Sequence, residues 1–444
     1  RKASLKISAA VLASDRESNS DLRKEEERLQ KLNMMGATSS ERIKILKTRL
    51  ALAQKLQNLT QISIIATMLL KEKELNANDE NYAKELLAWS EEMRLNFPEA
   101  LKLTKELNPN HLSREDKFLR LAILSELAGK DATTYYRSYI KATPSRRKAN
   151  AIRAKLIKMA KQPWTELNSE LSKLRKTPDI LAQLALDVYS LRPNLKKTRN
   201  ILKERRIRNY PEGQVLARIV FISEYSPVRS ALKRHKLHSR SQYLINKTTK
   251  SRLKLISDVE RYANRAIASK DWVLQLLTLD FLKGQYLRLH DELHQIPVPK
   301  NLNKKQKAQY KALLAQQTKG YKDKAESIDR KTSTFWRNDQ ALAALLANYQ
   351  ESPLKRQHVL KGELDLLANL APSYIRSEIE KTLNTKGHIP NRQELRMAWA
   401  NLKEDPLDIE KNRKLQKLLE RRGSDTLVAY FDSRVDSIKT GVKK

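Results

Sequence analysis

Apolar positions recur every three or four residues along most of the chain, with polar residues between them. This is the pattern of helices that bury one face. Alternating runs rich in Val, Ile and Thr are nearly absent, which argues against a sizeable sheet. Ser113 opens one helix, with Asp116 three positions on as a capping partner; Phe118, Leu121, Ala122, Leu124 and Leu127 then share a face, and Gly129 ends it. The same reading predicts helices over 79–96, 98–107, 132–141, 144–161, 163–176, 178–190, 192–207, 211–224 and 227–237. Ahead of them a charged helix spans 21–32 before a break at Gly36, and Thr38 with Glu41 forms a capping box for a helix over 41–57.

Prolines punctuate this pattern at a regular interval. Pro109, Pro144, Pro178 and Pro211 are separated by 35, 34 and 33 residues, Pro193 and Pro227 by 34, and Pro372 and Pro406 by 34. Proline suits the first turn of a helix and is excluded from its interior, so each is expected to mark a helix start. Paired helices at a period near 34 resemble tetratricopeptide units, with few small residues at the usual packing positions. The resemblance implies an all-α fold, an α-solenoid of divergent helix-turn-helix units. Three segments are expected: 1–75 as a helical cap or docking arm, 76–295 as the superhelix with a basic surface, and 296–444 as a C-terminal helical segment.

Composition agrees with helices: nine Gly and fourteen Pro in 444 residues leave little material for tight turns. The absence of Cys excludes disulfides, a Cys nucleophile and thiolate metal sites. The longest apolar run, 59–70, contains Thr60, Gln61, Ser63 and Thr67 and is too short to span a bilayer. The sequence starts at Arg1 without an initiator Met and reads as a processed or trimmed product.

Charge changes the picture more. The net charge is +37, yet the first 130 residues hold 23 Lys and Arg against 19 Asp and Glu, so nearly all the excess lies beyond them. The densest stretch, 192–254, has 18 basic residues against Glu204, Glu212 and Glu224. Such a field favours an anionic partner: a nucleic acid, an acidic protein, an anionic lipid or an anionic cell-wall glycan; the alternative is a merely solvated basic face. On a helix over 192–207, Arg199, Lys203 and Arg206 would share a face, near Lys196, Lys197, Arg205 and Arg208. Arg229, Lys233, Arg234, Lys236 and Arg240 follow one unit later, and Arg146 and Arg147 open the wider basic stretch, 146–254. Equivalent helices of a solenoid line one surface, so these residues are the candidate polyanion-binding set. Tyr210, Tyr225 and Tyr243 are interleaved, either to stack on bases or sugars or as core residues.

A second resemblance lies in 272–349. Trp272, Val273 and Leu274 open a helix through Leu289; Ile296, Pro297, Val298 and Pro299 form a linker; a helix then carries Tyr310, Leu313, Leu314 and Gln317, followed by Tyr321, Lys324 and Ala325, and the stretch ends with Trp336, Ala341, Leu345 and Tyr349. This is similar to the C-terminal part of bacterial envelope tetratricopeptide proteins associated with adventurous gliding motility. It implies a non-enzymatic scaffold, periplasmic or envelope-associated, binding other proteins of an envelope complex through a concave face and needing no cofactor. A cytoplasmic location is the alternative.

Catalytic signatures are few. His290 and His294 stand at i and i+4 as zinc ligands do, but Asp291 occupies the place of the metallopeptidase Glu. Phosphate-cradling glycine motifs and a G-x-S-x-G elbow are absent. A metal-dependent or glycan-cleaving enzyme is therefore the least supported reading.

Overall fold

A computed structural model describes residues 19–32, 37–108, 112–238, 241–298, 302–337, 339–384 and 392–440. Among them the chain is all α, with twenty-one α-helices, one short 3-10 helix and no strand, and successive helices pack on one another. None of these helices is long and apolar enough to cross a membrane. The chain divides into two compact units, Arg1–Lys161 with Ile389–Lys444, and Gln162–His388. These units are not the three segments read from the sequence.

The first unit begins with α1 (Asn19–Gln30), α2 (Ser39–Lys55), α3 (Leu59–Leu69), α4 (Ala77–Met93), α5 (Phe97–Glu106), α6 (Arg114–Leu127), α7 (Thr133–Ala142) and α8 (Arg146–Met159). Local chemistry sets their starts. Thr38 and Glu41 complete the expected capping box of α2, Ser113 caps α6 through the Asp116 amide at 3.0 Å, and Gly129 takes a φ of 70° just past the α6 end. Leu46, Leu50, Ile62, Ile65 and Leu69 fill the core between α2, α3 and α4. Each fully buried Leu or Ile contributes about 1.5–3 kcal/mol. The unit is completed by α19 (Arg392–Glu404), α20 (Ile409–Arg421) and α21 (Asp425–Thr440), whose Leu395, Leu402, Leu415 and Phe431 share a core with Phe97, Leu101, Leu121 and Leu124. Trp399 stands edge-on to Phe97 at 6.1 Å. Arg434, buried, donates to the carbonyls of Glu92 (3.0 Å), Met93 (2.7 Å) and Pro406 (2.8 Å) and to Asn412 Oδ1 (2.9 Å). The last three helices thus return to α4, α5 and α6, where a strictly linear repeat would touch only its neighbours.

The second unit holds α9 (Pro163–Leu174), α10 (Pro178–Leu191), α11 (Leu195–Ile201), the 3-10 turn Arg205–Asn209, α12 (Pro211–Arg234), α13 (Gln242–Ala268), α14 (Trp272–His294), α15 (Lys304–Phe335), α16 (Asp339–Glu351), α17 (Leu354–Leu370) and α18 (Ser373–Asn384). Pro163, Pro178 and Pro211 sit in first turns as expected. The core runs through α12, α13, α14 and α15: Phe221, Tyr225 and Leu232 meet Ile256, Val259 and Ala263, then Leu277, Leu282, Tyr286 and Leu289, then Ala325. Tyr321 stacks on Tyr286 with rings 17° apart in plane.

Two expected helix boundaries are wrong. Pro227 does not start a helix; it lies inside α12, which is continuous from Pro211 to Arg234. An interior proline costs about 3 kcal/mol, and the burial of Phe221 and Tyr225 before it and Leu232 after it outweighs that. The helix expected over 192–207 ends at Ile201 and resumes as the 3-10 turn. The break lets Ile207 bury fully against α12, with its carbonyl so close to Gly213 that a Cβ there would sit 1.9 Å from the oxygen. Gly36, Pro109 and the linker positions Pro299, Lys300 and Asn301 lie outside the described residues, as do residues 1–18.

Candidate polyanion interface

The sequence-predicted cations fall in both units. Arg146 and Arg147 are exposed in the first turn of α8, in the first unit; the others belong to the second. Arg199, Lys203 and Arg206 do not share a helix face, because α11 ends before Lys203. Lys196, Lys203 and Arg205 are exposed, and Lys197 is half-buried. Arg199 pairs with Glu224 at 3.2 Å and Arg206 with Glu204 at 3.0 Å, while Arg208 donates to the Leu202 carbonyl at 3.2 Å. Arg229 is half-buried, its guanidinium 5.3 Å from the centre of the Phe281 ring. Lys233, Arg234 and Lys236 are exposed at the C-terminal end of α12; Arg240 lies outside the described residues. Of the three tyrosines, Tyr225 is buried in the core and cannot stack on a ligand, Tyr210 is half-buried and Tyr243 is 70% exposed.

What organises this end of the unit is a pair of arginines that the sequence reading did not single out. Arg252 on α13 is fully buried. Its Nε donates to His235 Nδ1 at 3.0 Å, and its Nη2 donates to the His235 carbonyl at 2.7 Å and to Glu292 Oε2 at 3.0 Å. From α14, Arg288 donates Nε to Glu292 Oε1 at 2.6 Å, Nη1 to the Lys233 carbonyl at 3.0 Å and Nη2 to the His235 carbonyl at 2.9 Å. The last carbonyls of α12, which its own helix cannot satisfy, are thereby capped by two cations where the helix dipole favours positive charge. His235 accepts at Nδ1 and so carries its proton on Nε2. Burial, and then the charge of Arg252, hold its pKa below the ordinary histidine value. Burial also lowers the Arg252 pKa, with Glu292 opposing. Arg252 Nη1 is buried with no hydrogen-bond partner among the described residues.

A signal for Arg252 does exist in the sequence. Ile256, Val259, Ala263 and Ala266 form the buried stripe of α13, and Arg252 lies four residues before Ile256, on that stripe. An arginine in an apolar register is a buried charge that needs a partner. Glu292 four positions after Arg288 supplies a local hint of the rest.

The helices place more positive charge here. His294 Nε2 meets Thr318 Oγ1 at 2.8 Å, so the first fourteen or so residues of α15 project past the end of α14, about 20 Å at 1.5 Å per residue. Lys304, Lys305, Lys307 and Lys311 on this projection are exposed, and no Asp or Glu occurs between Glu292 and Asp323. Lys247, Lys250 and Lys254 are exposed on the early turns of α13. Beside the arginine pair is a cavity of about 380 Å³ lined by Lys236, Leu237, His238, Ile245, Arg288, Glu292, Gln295 and Ile296.

His290 and His294 do lie together, with ring centres 4.5 Å apart, but His290 Nδ1 faces Asp291 and His294 faces Thr318. Among the described residues no group of three His, Cys, Asp or Glu side chains is placed to hold a metal ion. No known protein-family model matches the chain, and no curated protein matches it.

Proposed function

We propose that this chain is a helical-repeat scaffold, a superhelix of helix-turn-helix units, that holds an anionic polymer at the end of its second unit where α12 finishes and α13 and α15 begin. The observation that carries this reading is the row of exposed lysines there, Lys233, Lys236, Lys247, Lys250, Lys304, Lys305, Lys307 and Lys311, with no acidic residue between Glu292 and Asp323 to balance them. Packing of consecutive helices from α2 to α8 supports the helix-turn-helix part. Charge of this density draws in nucleic acid or acidic glycan and binds it by releasing counterions. Affinity of the full chain for single-stranded RNA, duplex DNA and an acidic glycan, measured by fluorescence anisotropy across salt, tests it. Six or more phosphate contacts lower affinity by about a thousandfold or more between 50 and 200 mM salt. A flat response sinks the reading.

A second reading keeps the scaffold but gives it a protein partner in a cell-envelope assembly. Ile64 and Met68, exposed one turn apart on α3, favour it as a small apolar contact. Fractionation of the native protein tests the compartment: recovery wholly from the cytosol removes the envelope reading.

A further inference from the structure

The cavity beside the arginine pair has a chemistry distinct from that of the open lysine surface. Its lining combines apolar Leu237, Ile245 and Ile296 with the cationic Lys236 and Arg288 and with His238. Glu292 also faces it, but both of its oxygens are already engaged, one by Arg252 and one by Arg288. One carboxylate therefore stands against two guanidiniums and an ammonium, and the cavity carries an excess of positive charge. Arg252, which binds the same Glu292, has its Nη1 buried without a hydrogen-bond partner among the described residues. A buried polar group left unsatisfied in a folded protein calls for a compensating role. A cationic ligand is repelled here, and a wholly apolar one brings no counter-charge to Lys236, since Glu292 is already engaged by Arg252 and Arg288. An anion with a compact apolar body suits both the cationic and the apolar parts of the lining. The volume, about 380 Å³, suits one small ligand and not a chain.

We propose that this cavity is a binding site for a single phosphomonoester bearing an aromatic or apolar body, of the size of a nucleoside monophosphate. Lys236 holds the phosphate as a point charge, and Arg288 adds the second N–H of Nη1 and Nη2, the first of each being spent on the Lys233 and His235 carbonyls. The body lies against Leu237, Ile245 and Ile296. Lys236 belongs both to this site and to the exposed lysine row, so the two readings are separated by their probes, a monomeric ligand here and a polymer there.

Calorimetric titration of the full chain with adenosine 5′-monophosphate tests this, beside adenosine and inorganic phosphate. Saturable binding at one site per chain is expected, at least tenfold tighter than either fragment of the ligand. Lys236→Ala removes an exposed side chain whose loss leaves the core intact, and weakens binding at least tenfold with the melting temperature unchanged. Ile245→Trp, which fills the apolar side, abolishes binding. The proposal is overturned by no saturation at millimolar ligand, by equal affinity for adenosine or inorganic phosphate, by several sites per chain, or by binding that survives both variants. Because the probe is monomeric, its failure leaves the polymer reading standing, and a flat salt response for polymers leaves this one standing.

Discussion

Replacing Arg252 by Met removes the one fully buried cation of the candidate interface while nearly keeping its volume. Three hydrogen bonds go: to His235 Nδ1, to the His235 carbonyl and to Glu292. Stranding a buried charge costs about 3–5 kcal/mol, but Glu292 is not stranded, because Arg288 still holds its other oxygen at 2.6 Å. The His235 carbonyl likewise keeps the Arg288 bond at 2.9 Å. Only His235 Nδ1 loses its sole partner here, and its ring is half-buried, within reach of water. Against these losses stands relief from the desolvation of a guanidinium whose Nη1 has no hydrogen-bond partner among the described residues. Bonds to charged groups contribute about 1.5–3 kcal/mol and neutral ones about 0.5–1.5 kcal/mol, so the net loss is about 2 kcal/mol. At about 2–4 °C per kcal/mol for a unit of this size, the transition of the second unit falls by about 4–8 °C. Differential scanning calorimetry on Arg252→Met, with Arg252→Lys beside it, reads this. Lys cannot bridge histidine and carboxylate at once, so it loses nearly as much. An unchanged or raised melting temperature would falsify the reasoning, showing that desolvation outweighs the clamp. A loss beyond about 5 kcal/mol would show that Arg288 does not hold Glu292 alone.

Three further outcomes follow from the geometry. His235 is held neutral below its ordinary pKa, so the unfolded chain binds its proton first; stability is complete above about pH 6.5 and falls as pH drops through the folded value. Urea midpoints between pH 5 and 8 should show that decline, and His235→Asn should flatten it. Gly213→Ala sets a Cβ 1.9 Å from the Ile207 carbonyl; the backbone must shift, at about 1–3 kcal/mol, read as a lower urea midpoint. Arg434→Met leaves the Met93 and Pro406 carbonyls and Asn412 Oδ1 without this donor, costs about 3–5 kcal/mol as several buried groups lose partners together, and speeds amide exchange across α19, α20 and α21.

Most of the helices were legible in the sequence because their signals are local. A cap such as Thr38 with Glu41 or Ser113 with Asp116 acts within one turn, Pro163 and Pro178 act through a single φ, and Gly129 ends a helix by its own freedom. Where local and distant forces disagree, the sequence reading failed. Pro227 argues for a break on its own, and the aromatic core around Phe221 and Tyr225 overrides it. The candidate site shows the same division. Its excess of positive charge is a property of composition and was visible at once. Which cations point outward, and which are spent inside, was decided by pairings such as Arg252 with Glu292 and Arg199 with Glu224, between residues tens of positions apart. The return of α19, α20 and α21 to α4, α5 and α6 through Arg434 joins residues more distant still. No periodicity encodes that contact, because it rests on the shape and unsatisfied carbonyls that exist only once both surfaces have folded.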